Sequence, residues 1–270
     1  MTPFALIATG FLATPLVFLI SRQNLVALAA LLPAVLFCGF ASYLPDVASG
    51  QVVGQEVSWI PSLGISMTFR LDGLALLFAM LITGIGTLIF LYASAYLHHG
   101  WRTPRFFSAL TVFMASMLGA VVSADLLALI VFWELTSLSS FMLIGHEPEK
   151  TEARRSAQQG LLITVGGGLA MLAGAVLLGS AAGTYRISEI IASTATNPLT
   201  GATASAIVIL IGIGAFSKSA QAPLHSWLAN AMVAPTPVSA YLHSATMVKL
   251  GVYLMARLNP ALSSAPLWTP

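Results

Sequence analysis

Three ionisable side chains lie deep inside apolar segments of this sequence: Glu134, Lys218 and Lys249. A charged side chain at the centre of a bilayer costs about 2.5–3.5 kcal/mol on insertion scales, so such residues are rare without a role. Burial disfavours the charged form of an ionisable group, and a close opposite charge restores it. A change in the distance between Glu134 and Lys218 would therefore switch the lysine between holding and releasing a proton. These residue types indicate proton or cation translocation; the alternative is a static ion pair, with a separate lysine, that holds helices in register.

The residues that follow Lys218 predict a broken helix. Pro223 interrupts the apolar segment, and a proline inside a helix frees a backbone carbonyl that needs another partner in lipid. A break beside a lysine exposes polar backbone to an ion or to water. Candidate residues for supporting this break are Pro223, Ser217, Ser219 and His225. For His225, packing or a helix cap is favoured over a proton relay.

His243 lies six residues before Lys249, on a different part of the same predicted helix. Its imidazole has two possible roles, passing protons along the row of charges or bonding a neighbouring carbonyl, and the sequence favours neither. Four hydroxyl residues close to Glu134 pose a similar choice between holding water and bonding across helices; they are Thr136, Ser137, Ser139 and Ser140.

The composition is that of a polytopic membrane protein. Of 270 residues, 57% are hydrophobic and 7% are charged, against roughly 25% charged in soluble domains. The formal charge of +2 comes without a basic run, so nothing indicates a nucleic-acid partner. The single cysteine, Cys38, lies in an apolar segment and excludes a disulfide within the chain or a thiolate metal cluster. We expect no cofactor and no metal site.

Apolar runs long enough for a hydrocarbon core of about 30 Å predict an all-α integral membrane fold with about eight transmembrane helices. We place them at Pro3–Ile20, Leu25–Leu44, Asp72–Leu97, Phe106–Ser123, Ala124–Gly145, Gly160–Ala182, Thr203–Ala229 and Pro235–Leu258. The fourth and fifth are separated only by a tight turn, and Asp72 and Asp125 are expected to cap the helices that follow them. Loop lysines and arginines favour an outside N-terminus, with six basic residues on the inner side and three on the outer. The outer three are Arg70, Arg186 and Arg257.

Several segments outside the spans also carry patterns. Residues 63–71 alternate apolar and polar side chains, which predicts a strand in a hairpin that turns at Pro61–Gly64. Residues 146–159 are highly charged and predict a surface helix, and residues 186–192 form a short amphipathic piece. Three consecutive glycines, at 166–168, indicate close helix packing in the sixth span; no strand precedes them, so they are not a phosphate loop.

Three motifs resemble one family of membrane proteins. FWELTSLSSFMLIG surrounds Glu134, FSKSAQAPLHSWL surrounds Lys218, and APTPVSAYLHSATMVKLGVYL runs through Lys249. They are similar to the antiporter-like membrane proteins shared by respiratory complex I and the Mrp multisubunit sodium/proton antiporters. The amino-acid sequences of these motifs, together with TVGGGLAMLAG in the sixth span, are most similar to the Mrp A subunit.

This resemblance implies that Glu134 and Lys218 form a charge pair and that Lys249, with His243, continues a central polar axis. It divides the chain into an N-terminal three-helix region at 1–105 with an outer loop at 45–71, a five-helix proton-translocating repeat at 106–258 with a broken seventh helix, and a tail at 259–270. A second, inverted repeat follows in family members, so we expect this chain to hold one half of a path. The implied protein exchanges protons for a monovalent cation, Na+, beside the other subunits of the antiporter complex in a bacterial plasma membrane. One alternative is a proton-pumping subunit of an NADH dehydrogenase-like or hydrogenase complex, and another is a non-transporting membrane scaffold.

Overall fold

The computed structural model describes residues 2–23, 25–60, 65–97 and 102–268, and it confirms the predicted helical membrane fold. The N-terminal region contains α1 (Pro3–Leu12), α2 (Thr14–Arg22), a 3₁₀ turn (Val26–Ala30), α3 (Leu31–Ala41), α4 (Leu44–Ala48) and α5 (Gly73–Tyr96). The central helices are α6 (Thr103–Val122), α7 (Leu126–Ile144), α8 (Thr151–Ala182), α9 (Ile187–Thr196) and α10 (Gly201–Lys218). The remaining segments are α11 (Ser226–Asn230), a 3₁₀ turn (Ala231–Val233), α12 (Thr236–Ser239), a π-helical segment (Ala240–Ala245) and α13 (Met247–Leu262).

Seven continuous helical stretches of the described residues are long and apolar enough to cross a membrane. The eighth predicted span consists of α12, the π-helical segment and α13, so it is helical throughout most of its length but interrupted near its middle. α8 begins at Thr151, nine residues before the expected start of its span, because the charged segment continues the same helix. The predicted surface helix and the sixth span are therefore one element.

α6 is the centre of the bundle. Nearly every residue of this helix is buried, and it packs against α1, α2, α5 and α7. It ends at Val122, and α7 starts four residues later because Asp125 accepts hydrogen bonds from the backbone N–H groups of Leu127 (2.8 Å) and Ala128 (3.1 Å). Asp72 caps α5 in the same way, through Ala75 N (3.0 Å). Both capping predictions are confirmed, and the caps satisfy backbone donors at the starts of the two helices.

The predicted hairpin is present as an antiparallel pair of strands, β1 (Val53–Ile60) and β2 (Ile65–Leu71). The apolar face of β2 is buried at Phe69 and Leu71, in agreement with the period-two pattern. The expected turn at Pro61–Gly64 lies outside the described residues. β2 also meets the α6–α7 turn, where Phe69 pairs with Ser123, so the hairpin lies across one end of the bundle.

The three arginines assigned to the outer side lie together at this end. Arg257 of α13 donates to both carboxylate oxygens of Asp72, and its Nε donates to Tyr253 Oη at 3.0 Å. Tyr253 Oη in turn donates to Val121 O of α6 at 2.6 Å. Arg70 lies 3.3 Å from Asp72, and Arg186 contacts Glu56 of the hairpin. This end of the bundle is therefore fastened by ion pairs and hydrogen bonds that join α5, α6 and α13.

Loss of the Asp72 charge should destabilise the protein, because the guanidinium of Arg257 would stay largely buried without its carboxylate. We expect Asp72→Asn to lower the free energy of unfolding by about 3 kcal/mol, measured by denaturant titration of the purified complex in detergent. Asp46→Asn is the matched control, since the Asp46 side chain is exposed, and should change stability by less than about 0.5 kcal/mol. Adding Arg257→Gln to Asp72→Asn should recover part of the loss; purely additive losses would contradict the pairing.

Candidate functional site

Lys218 is the last residue of α10 and is completely buried, with 0% of its surface exposed. Its Nζ donates hydrogen bonds to Ser137 Oγ at 2.6 Å and to Trp133 O at 3.1 Å, both on α7. The ammonium also lies 5.2 Å from the centre of the Trp133 ring. A buried charge requires such partners, because an unpaired one is very costly to desolvate. α7 therefore supplies the acceptors for the charge that α10 carries.

The helix break after Lys218 is confirmed, and three of the carbonyls at the end of α10 accept other hydrogen bonds. Ala215 O accepts from Ser219 N at 2.9 Å, and Phe216 O accepts from Gln221 N at 2.9 Å. Ser217 O accepts from the indole Nε1 of Trp227 at 2.8 Å. These bonds let a helix end within the bundle with those carbonyls paired. The negative end of the helix dipole also favours a cation at this position.

Glu134 follows Trp133 on α7, but it makes no direct contact with Lys218. Among the described residues, Glu134 forms no ion pair within 4.0 Å, and its Oε1 is buried without a hydrogen-bond partner. The two charges nevertheless attract one another through space. The carboxylate lies against Gly168 of α8, where an added Cβ would be 1.6 Å from Oε1. Lys218 therefore contacts the helix that carries Glu134, but the two side chains do not form an ion pair.

His243 lies in the π-helical segment, and its ring packs on Trp227 with 5.9 Å between ring centres. Both of its ring nitrogens are buried and have no hydrogen-bond partner among the described residues. Trp227 thereby separates His243 from the backbone of Ser217, the residue before Lys218. Among the described residues, no carbonyl accepts the hydrogen bond that the sequence left open for His243.

Lys249 forms no ion pair with Glu134 in this structure. Its side chain is exposed, and it forms no hydrogen bond or ion pair with any described residue. The helix that carries it is fixed to the break by Ser219, whose Oγ donates to Val248 O at 2.7 Å. Gly251 permits this close approach, since a Cβ there would lie 2.2 Å from Ser219 Oγ. The segments that carry Lys218 and Lys249 are therefore connected by the Ser219 hydroxyl and the Val248 carbonyl rather than by a row of charged side chains.

The supporting residues of the break have different environments. Ser217 is buried and its Oγ donates to Gly214 O at 2.8 Å, whereas Pro223 is exposed and follows a cis peptide bond. His225 is exposed and is the N-cap residue of α11: its backbone O accepts from Leu228 N at 3.1 Å, whereas its side chain makes no capping hydrogen bond.

The four hydroxyl residues of α7 divide unequally between the two predicted roles. Ser137 bonds across helices to Lys218, which is one of the two possibilities that the sequence left open. The other three bond back to carbonyls of their own helix, as is common for buried hydroxyls in helices; the pairs are Thr136 with Trp133 O, Ser139 with Leu135 O, and Ser140 with Ser137 O.

Trp133 and Trp227 were not foreseen as part of the site, although each lies within one of the family motifs. No group of three or more His, Cys, Asp or Glu side chains that could hold a metal occurs in the described part of the chain.

Sequence comparison identifies the family. The profile described as NADH:quinone oxidoreductase/Mrp antiporter, TM, matches residues 123–270, which is more than half of the chain and includes Glu134, Lys218 and Lys249. This chain belongs to that family. A second profile, described as NADH-Ubiquinone oxidoreductase (complex I), chain 5 N-terminus, matches residues 59–107. The resemblance inferred from the three motifs is confirmed.

Curated relatives align with most of this chain. The A subunit of the Na(+)/H(+) antiporter of Alkalihalophilus pseudofirmus is 49% identical over 238 residues, which are 88% of this chain and 29% of that protein. The A/B subunit of a probable K(+)/H(+) antiporter of Rhizobium meliloti is 46% identical over 243 residues, which are 89% of this chain and 24% of that protein. The chain therefore spans between a quarter and a third of the length of these family members.

Two solved structures have the same fold. The Mrp complex from Dietzia sp. DQ12-45-1b contains a chain that superposes on 99% of this chain with a TM-score of 0.89 and 37% identity, and the match covers 29% of that chain. The membrane-bound sulfane sulfur reductase, an archaeal respiratory membrane complex, contains a chain with a TM-score of 0.83 and 18% identity, matching 95% of this chain and 40% of that chain. The second likeness concerns the fold alone.

Ser137 should contribute to stability more than its neighbours, because it accepts a hydrogen bond from a buried ammonium. We expect Ser137→Ala to lower the free energy of unfolding of the purified complex by about 1.5–3 kcal/mol, the range for hydrogen bonds to charged groups. Ser140→Ala is the matched control, since that hydroxyl bonds only to a carbonyl of its own helix. Denaturant titration monitored by tryptophan fluorescence compares the two variants, and equal losses would contradict the special role of Ser137.

Proposed function

We propose that this chain is part of a proton-translocating subunit of a monovalent cation/proton antiporter. The observation that carries the proposal is the buried Lys218 ammonium, which lies at a helix break and is held by the helix that bears Glu134. A static core has no need of a completely buried lysine beside a break, and intramembrane charges generally mark ion pathways. In this function the chain is a transporter and performs no enzymatic reaction.

The geometry supports a switch between two positions of one side chain. Lys218 is hydrogen bonded to Ser137, and Glu134 lies one turn earlier on the same face of α7, so rotation of the lysine side chain exchanges one acceptor for the other. Contact with the carboxylate stabilises the ammonium more strongly than contact with a hydroxyl and a carbonyl. A proton held beside the carboxylate is released more readily beside Ser137. Glu134 thereby controls proton occupancy on Lys218.

Access to this switch is provided by a cleft of about 630 Å³ at the end of the bundle opposite the hairpin. Its lining includes Tyr96, His146 and Pro235. Burial, with the charge of Arg102, lowers the pKa of His146 and so favours its neutral form. From Pro235 the eighth span rises roughly 12 Å to His243, at 1.5 Å per residue. We place proton entry in this cleft, with His243 between it and the lysines and Lys249 next on the path.

The exchanged ion is a monovalent cation, since the names of curated relatives describe Na(+)/H(+) and K(+)/H(+) antiporters. We propose Na+ as the ion, a bacterial plasma membrane as the location, and the hairpin end with the N-terminus on the outer side. The distribution of loop arginines and lysines between the two ends supports this orientation. We propose that the pathway continues beyond these residues and works within a multisubunit antiporter complex, because the match covers 29% of one relative's length and one of the similar structures is a complex.

A proton-pumping arm of a redox complex is the second candidate. The family description includes NADH:quinone oxidoreductase, and the archaeal respiratory complex has the same fold. In that case the same lysine switch is driven by electron transfer elsewhere in the complex and is indifferent to Na+. The names of the curated relatives favour the antiporter.

The proposal is tested in vesicles that contain the complete complex. A proton gradient is imposed, and internal pH is followed with an entrapped dye on addition of Na+ or K+. We expect cation-dependent proton movement, lowered about 100-fold or more in Lys218→Ala and in Glu134→Gln, in line with the loss of a positioned proton carrier. Arg22→Ala is the control, because Arg22 is an exposed basic residue at the end of α2, outside the cleft and the switch.

Two results would contradict the proposal. Proton movement that ignores Na+ and K+ but responds to a redox substrate would establish the redox-pump alternative. Unchanged cation-dependent movement in Lys218→Ala, with normal assembly, would exclude this lysine from the path and leave it the role of a scaffold charge.

A further inference from the structure

The three consecutive glycines of α8 face three different environments. A Cβ added at Gly166 would meet nothing within 4 Å, one at Gly167 would lie 1.9 Å from Ser217 Oγ, and one at Gly168 would lie 1.6 Å from Glu134 Oε1. Successive residues of a helix are rotated by about 100°, so the run turns from open space to α10 and then to α7. α8 packs against both of these helices. The two inner glycines therefore lie beside the two helices that carry the proposed switch.

The contact at Gly168 is with the carboxylate of the switch itself. Contacts of a real Cβ below 3.0 Å essentially do not occur, so the Glu134 carboxylate occupies the space of the missing side chain. Its Oε1 is buried there and has no hydrogen-bond partner among the described residues. No hydrogen bond from the described part of the chain fixes this oxygen, so contact with the α8 surface limits how far it can move, while Lys218 and Ser137 act on the carboxylate from the other side.

The contact at Gly167 is with α10, the helix that carries Lys218. Here the atoms in the way are Ser217 Oγ and Ser217 Cβ, the latter at 2.4 Å, and Ile213 O of the α10 backbone lies at 3.3 Å. A Cβ at Gly167 cannot be accommodated by moving one side-chain end, so α10 would have to shift. Gly214 on α10 makes the reciprocal approach, since its Cβ would lie 2.5 Å from Met171 Cβ of α8. Gly167 thereby permits the short distance between α8 and α10, the helix that carries Lys218. Gly168 instead provides space for the Glu134 carboxylate.

We propose that Gly168 is a positioning residue for Glu134: the missing side chain provides the space in which the carboxylate lies close to Lys218 without contacting it. This role rests on the proposed function only in so far as Glu134 controls the lysine. The position of the carboxylate is a structural property and is measurable without transport. A shift of about 1 Å at a reacting group costs up to about 100-fold in rate, so one methyl group at residue 168 is sufficient to disable the switch.

A scan of single methyl groups tests the proposal in the complete complex. Gly168→Ala should lower cation-dependent proton exchange about 10- to 100-fold, and Gly166→Ala, which faces open space, should stay within about twofold of the unmodified protein. In parallel, infrared difference spectra record the carboxyl band of Glu134, which is assigned by its loss in Glu134→Gln. We expect this band to shift in Gly168→Ala and to be unchanged in Gly166→Ala.

A double-mutant comparison separates positioning from general packing. Glu134→Asp shortens the side chain by one methylene and withdraws the carboxylate from Gly168, so Gly168→Ala should cause little further loss in that background. If Gly168→Ala alone fails to assemble, Glu134→Ala should restore assembly, because it removes the clashing group. An equal loss in both backgrounds, a Glu134 band that does not move, or no restoration by Glu134→Ala would overturn the proposal.

The two hypotheses fail in different ways. Full transport by Glu134→Gln would reject the proposed function of Glu134, and the infrared band would still report whether Gly168 fixes its position. A normal band in Gly168→Ala, with transport lost in Glu134→Gln, would reject only the role of Gly168.

Discussion

The constraint on which this structure depends is the burial of one ammonium group at the end of a helix. Lys218 has no exposed surface, so every favourable interaction of its charge must come from protein. Ser137 and the Trp133 carbonyl provide two hydrogen bonds, and the end of α10 adds the negative pole of its dipole. α10 must therefore end at this residue and at this depth, and α7 must present the same face to it. The positions of both helices follow from the requirements of this one group.

Ending a helix in the middle of a bundle frees carbonyls, and the neighbouring elements are arranged to satisfy them. Trp227 reaches back from α11 to Ser217 O, and its ring also packs on His243, so one side chain connects the break with the eighth span. Ser219 connects the break with the backbone of α13. A movement of the break is thus transmitted to the helices that carry His243 and Lys249 through contacts of one or two residues. This provides a physical route for coupling between sites that share no direct bond.

The sequence predicted the spans, the hairpin, the helix break and the capping aspartates, because each depends on a local pattern of hydropathy, proline or charge. It placed Glu134 and Lys218 at similar depth, because depth follows from counting residues along a helix. It could not predict rotation about the helix axis, which is decided by packing between distant segments. For that reason it did not distinguish Ser137 from Ser140, and it did not predict that the Lys249 side chain is exposed in this structure. The π-helical segment around His243 has no sequence signal that we recognise. Because it differs from an α-helix in residues per turn, it changes the directions in which the side chains of α12 point relative to those of α13.

The arrangement of Glu134 and Lys218 is difficult to explain as a static ion pair. Burying charges is compensated only when their geometry is good and their remaining donors and acceptors are bonded. Here the lysine makes its hydrogen bonds to a hydroxyl and a carbonyl, and the carboxylate leaves Oε1 without a partner among the described residues. A pair selected only for stability would close the gap, since Lys218 already reaches Ser137, one helical turn from Glu134. In this structure Lys218 contacts Ser137, Glu134 contacts Gly168, and the two charges do not touch. A switch with two positions of the lysine side chain requires such a separation.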